Sequence, residues 1–79
     1  MGRRLTDPQF LGVMAERKPG WDLDERGQFL LLEVAERDLA WVLECCREHA
    51  EGAWHMLRDG AAVLFEREHD HAFVRLACL

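Results

Sequence analysis

The sequence predicts an α+β fold, an antiparallel sheet of three to five strands ending in a C-terminal meander and packed by two helices. Three observations carry this expectation. A capped amphipathic segment opens the chain, a helical apolar stripe occupies its middle, and from Ala53 onward apolar residues fall at every second position. The alternative is one long helix over residues 28–50 followed by a three-stranded meander, and it turns on how residues 28–34 are read.

The stretch "LTDPQF" has the chemistry of a helix start. Thr6 caps, Gln9 stands three residues on as its capping-box partner, and Pro8 fits the first turn because its missing amide would have no partner there. Leu5 and Phe10 hold the two positions of a hydrophobic staple. With Phe10, Val13 and Met14 on one side and "KPG" (18–20) as the stop, the expected helix runs over about 7–17.

In "GWDLDERGQFLLLEV", Trp21 and Leu23 alternate with aspartates. "DERG" reads as a turn with Gly27 at a positive-φ position, and "QFLLLEV" reads as the returning strand. The competing helix keeps Phe29, Leu32, Ala35, Leu39, Val42 and Cys46 at helical spacing. Four consecutive apolar residues at 29–32 favour the strand, because a helix would turn one or two of them into water. In both readings "AERDLAWVLECCREHAEG" is helical, with Leu39, Val42, Leu43, Cys46 and Ala50 facing inward and Gly52 as the stop.

Asp59-Gly60 suits a two-residue type I′ turn, pairing Met56 with Val63 and Trp54 with Phe65. A second turn at His69-Asp70 then pairs Phe65 with Val74 and Val63 with Leu76. That gives one sheet face of Trp54, Met56, Val63, Phe65, Val74, Leu76 and Cys78. The other face mixes His55, Leu57, Leu64, Phe73 and charged residues, so it needs a cover: the N-terminal helix or a partner.

Composition narrows the function. The 79 residues are expected to form one domain (1–79), and no apolar run reaches the ~20 residues of a membrane span. The chain has no Ser, Asn or Tyr, one Thr (Thr6) and one Lys (Lys18), which leaves serine triads, the Walker phosphate loop and Schiff-base chemistry little to work with. The reading is therefore a non-enzyme without cofactor. A net charge of −5 disfavours direct nucleic-acid binding and suits a basic partner surface. Cys45, Cys46 and Cys78 are odd in number, and adjacent cysteines on a helix point in different directions. That is a poor disulfide framework, so reduced thiols and a cytoplasmic location are expected.

The candidate chemistry is sparse. In "FEREHDHAF", His69 and His71 with Glu68 or Asp70 supply two ligands and a doubtful third, while zinc needs three or four converging at ~2.0–2.3 Å. A solvated turn is the favoured reading. Cys45 and His49, at i and i+4, share a helix side, yet no orienting group or oxyanion hole accompanies them. Trp41 lies beside the buried stripe rather than on it, and tryptophan is enriched at binding hot spots. The leading expectation is thus a small acidic binding module, inhibitor or regulator, that occludes a basic, nucleic-acid-binding surface of a larger protein or ribonucleoprotein complex. Immunity proteins, antitoxins and phage-encoded anti-defence inhibitors act in this manner. Trp41 would anchor it, with Glu36, Glu44, Glu48 and Glu51 meeting basic residues. The alternatives are a Cys/His metal or redox module using Cys45, His49, His69 and His71, and a homodimeric structural subunit.

Overall fold

A computed structural model describes residues 2–16, 20–57 and 62–78. Lys18, Pro19 and the expected Asp59-Gly60 turn lie outside them. The elements are α1 (Asp7–Ala15), β1 (Leu30–Glu33), a 3-10 turn (Glu36–Asp38) leading into α2 (Leu39–His49), β2 (Trp54–Leu57), β3 (Ala62–Phe65) and α3 (Glu68–Cys78). The three strands form one antiparallel sheet in the order β1-β3-β2.

The start of α1 follows the sequence chemistry closely. The Thr6 amide donates to Gln9 Oε1 at 2.8 Å and the Gln9 amide donates back to Thr6 Oγ1 at 3.4 Å, closing the capping box. Leu5 and Phe10 are both buried in one apolar cluster, as a staple requires. The helix ends at Ala15 rather than 17, and Met14, expected on its inner face, is exposed.

The turn before β1 is held by Asp24. Its Oδ1 accepts the amides of Arg26 and Gln28 at 2.8 and 2.9 Å, and Gly27 takes the positive φ of 77° that a bulkier residue resists. Leu23 bridges Phe29 across this turn. Residues 30–33 are strand and Ala35 is extended, so the single helix over 28–50 does not form.

Strands β2 and β3 pair in the expected register, Trp54 with Phe65 and Met56 with Val63. The meander does not continue, and this corrects the sequence reading. Residues 68–78 are a helix, and β1 takes the other edge of β3, pairing Leu30 with Phe65 and Leu32 with Val63. A two-residue turn at His69-Asp70 has no glycine or asparagine to accept positive φ. The inward residues of α3 are Asp70, Val74 and Cys78, spaced by four, and Leu76 is 78% exposed instead of facing the sheet. Among the described residues the architecture is therefore α+β with three α-helices and a three-stranded antiparallel sheet. The sheet is within the expected three to five strands, but a third helix stands where the meander's last strand was expected.

The sheet is covered on both faces. Leu32, Trp54, Val63 and Phe65 pack against Val42, Cys45 and Cys46 of α2 and Val74 and Cys78 of α3. Leu64 on the opposite face packs against Leu5, Phe10 and Trp21. The second sheet face is thus covered by the protein's own N-terminal segment. The helical tail runs beside α2 and brings Cys78 to Cys45, with Cα atoms 6.7 Å apart, and the two form a disulfide. The expectation of three reduced thiols, drawn from an odd count with two adjacent cysteines, is thereby corrected for Cys45 and Cys78, which the packing of α3 on α2 brings together.

Two carboxylates fix α3. Buried Asp70 accepts the Glu51 amide on both oxygens at 3.0 Å and the Gly52 amide at 2.8 Å. Asp22 Oδ2 accepts the Glu68 amide at 2.8 Å, filling a vacancy that every helix N-terminus has. Further along, His71 Nε2–H donates to the Leu31 carbonyl of the edge strand β1 at 2.9 Å, which fixes the tautomer.

Because residues 68–78 are helical, Val74→Ala should cost about 2 kcal/mol, whereas Leu76→Gln should stay within about 0.5 kcal/mol of wild type. Urea denaturation followed by circular dichroism measures both; equal losses would favour a strand.

Candidate functional site

The outer face of α2 gathers the sequence candidates. At ~100° per residue, with Val42, Cys45, Cys46 and the following Ala50 turned inward, Trp41, Glu44 and Glu48 share one outer arc at i, i+3 and i+7, Trp41 on the flank nearest Cys45. Trp41 is 57% exposed. Glu44 and Glu48 are exposed as well, with Glu44 Oε2 3.5 Å from Arg47 Nη1 and Glu48 Oε2 3.7 Å from His49 Nε2. Open surface pairs of this kind contribute little to stability. Glu36, in the 3-10 turn before the helix, and Glu51, just after it, are also exposed and lie beyond the two ends of the line. The structure thus puts three of the five candidates on one face and two at its ends.

The surface is acidic because residues 36–51 hold five carboxylates against two arginines. The C-terminal end of α2 adds the negative pole of its dipole beside Glu48. Next to this face, α3 exposes Phe73 between the rings of His49 (5.2 Å between centroids) and His69 (6.4 Å).

The metal candidates disperse. Cys45 is bonded to Cys78, His71 is committed to the Leu31 carbonyl, and His69 Nδ1 lies 3.6 Å from the Asp70 carboxylate. Among the described residues no group of three or more His, Cys, Asp or Glu side chains is placed to hold a metal ion. His69 and His71, read as a turn between strands, sit in the first turn of a helix.

Sequence reasoning assigned no role to His55. It is buried and stacks on Phe10 with ring centroids 4.3 Å apart and planes 7° from parallel. Its Nδ1–H donates to the Leu5 carbonyl at 3.1 Å, and Nε2 lies 3.6 Å from Asp7 Oδ1. An open depression of about 380 Å³ beside it is lined by Arg4, Thr6, Asp7 and Met56. The only hydroxyl there, on Thr6, is occupied as the cap of α1. The chemistry at hand is that of a histidine clamp fastening the N-terminal segment to β2. Its signal in the sequence was the placement of His55 between apolar neighbours on the second sheet face.

The remaining thiol, Cys46, is buried, and its pKa is pushed up to about 12 by burial and then by the nearby Asp70 carboxylate. It is therefore a poor nucleophile. No helix among the described residues is long and apolar enough to cross a membrane. Comparison with known proteins finds no family model, no curated protein and no solved structure that matches this chain.

Two outcomes follow from these groups. The folded protein holds the Cys46 proton more tightly than the unfolded chain. That contribution to stability is whole below about pH 9 and is lost as the pH rises from 9 through about 12. Denaturation midpoints across that range should fall for wild type and flatten in Cys46→Ala. Asp70→Ala should cost about 3 kcal/mol in urea, since it strips the buried Gly52 amide and the part-buried Glu51 amide of their acceptor.

Proposed function

We propose that this protein is a small acidic binding module that works by covering a basic surface on a larger protein or ribonucleoprotein, and so inhibits or regulates it. The observation that carries the reading is the face of α2 on which an exposed Trp41 stands in line with Glu44 and Glu48. Val42 and Cys46 already supply the inner face of this helix with apolar contact, so Trp41 is not needed for the core. A large aromatic left more than half exposed, with Glu44 and Glu48 along its line, fits an anchor that buries itself in a partner pocket while the rim pairs with arginine and lysine.

Charge gives such a surface its selectivity. Carboxylates spaced along one helix turn reproduce the sign, though not the chemistry, of a phosphate backbone. A partner groove that holds nucleic acid would meet them with the right potential. The mode of action follows from occupancy alone: nucleic acid and this protein would compete for one groove. Immunity proteins, antitoxins and anti-defence inhibitors supply the analogy for this mode, and it is by analogy that a bacterial or phage setting is proposed.

The test is a native pull-down from host lysate with wild-type protein and Trp41→Ala as paired baits, followed by affinity measurement on whatever is retained. Trp41→Ala should weaken binding about 30-fold or more with unchanged circular dichroism. Glu44→Lys with Glu48→Lys should slow association and flatten its salt dependence. A wild-type bait that retains no macromolecule above background ends the proposal.

A further inference from the structure

The turn of α2 that carries Trp41 and Glu44 also carries Cys45, one helical turn beyond Trp41, and Cys45 is bonded to Cys78 of α3. The last turn of α3 has little else to hold it. Of residues 75–78 only Cys78 is buried, while Arg75, Leu76 and Ala77 are exposed. The first turn of the same helix is fastened by different means, the Asp70 carboxylate on the Glu51 and Gly52 amides and the Asp22 carboxylate on the Glu68 amide. One end of α3 is therefore tied by hydrogen bonds that no reductant touches, and the other by a single covalent bond.

We propose that the Cys45–Cys78 disulfide is a reversible redox tie that regulates the Trp41 face. A dithiol reductant, small molecule or protein, attacks one sulfur, forms a mixed disulfide and resolves it with its second thiol. The protein's S–S bond gains two electrons and two protons to give two thiols, and the reductant leaves as its own disulfide. The last turn of α3 then comes away from α2 beside Trp41, while the Asp70 end stays docked. Both bonded cysteines are buried in the oxidised fold, with Cys45 5% and Cys78 8% exposed, so attack follows opening of the exposed last turn, residues 75–77. Cys46, fully buried and held protonated, stays out of the exchange. The link to binding rests on the reading of Trp41 as an anchor; the tie itself does not.

The experiment uses the isolated full chain, labelled with 5-fluorotryptophan, with the Trp41 resonance assigned from Trp41→Phe. Protein equilibrated with oxidised glutathione and alkylated in denaturant should take up one alkyl group, against three after dithiothreitol, as one disulfide among three cysteines requires. Reduction should shift the Trp41 fluorine resonance, raise amide exchange at residues 75–78 about 100-fold and lower the melting midpoint by about 15 °C. Cys78→Ser should match the reduced protein and ignore dithiothreitol, and Cys46→Ala should keep the response. If Cys78→Ser does not fold, the dithiothreitol-treated wild type reads the same state. Three alkyl groups without reductant, or a Trp41 resonance and terminal-turn exchange that reduction leaves unmoved, overturn the proposal. Neither result depends on a partner, so a failed pull-down and a failed redox tie are separate outcomes.

Discussion

Asp70 is the residue on which the arrangement of the C-terminal half depends. Burying a carboxylate is costly unless its oxygens are filled, and here two successive amides, those of Glu51 and Gly52, fill them from the link between α2 and β2. One side chain thereby fixes where α2 ends, how the chain enters the sheet, and where α3 begins its run along α2. Gly52 sits so close to the start of α3 that a Cβ there would meet Arg67 Cγ at 2.5 Å and Glu66 Oε1 at 2.8 Å. Its role is close approach rather than the helix-stopping freedom its position suggested. Glu66 closes the same corner by accepting the Ala53 amide through Oε1 at 2.9 Å.

Much of the N-terminal half was legible because its determinants are local. Thr6 and Gln9 cap each other across three residues, and Asp24 with Gly27 specifies a turn within five. The β2–β3 register was legible as well, because alternation and a short connection leave one pairing that keeps Trp54, Met56, Val63 and Phe65 together. The tail was not. A strand alternating Val74, Leu76 and Cys78 and a helix spacing Asp70, Val74 and Cys78 share two of their three residues. The residue that decides between them is charged, so a pattern built on apolar positions counts it as outward. The disulfide was hidden because an odd count with two adjacent cysteines argues against a framework, while which pair meets is a matter of how α3 packs on α2. The placement of Trp41, Glu44 and Glu48 on one side of α2 needed only the phase of that helix, which its apolar stripe sets.

The three layers divide the work. Beneath the sheet, α1 is a nine-residue helix that covers its face with few side chains, chiefly Phe10, and borrows Trp21 and the His55 stack to complete the cluster. Above it, α2 and α3 are linked covalently and by the Asp70 carboxylate, and they turn the exposed Trp41 and Phe73 towards solvent. The layer that exposes these two aromatic side chains is thus the one cross-linked within itself.

The edge strand β1 has a consequence of its own. It is four residues long, and the Leu31 carbonyl is already capped by the His71 imidazole. An open strand margin invites another chain to zip on through its backbone, which is how small sheet proteins come to form fibrils. Here a side chain from the protein's own helix occupies one acceptor on that margin, leaving one backbone group fewer for another chain to pair with.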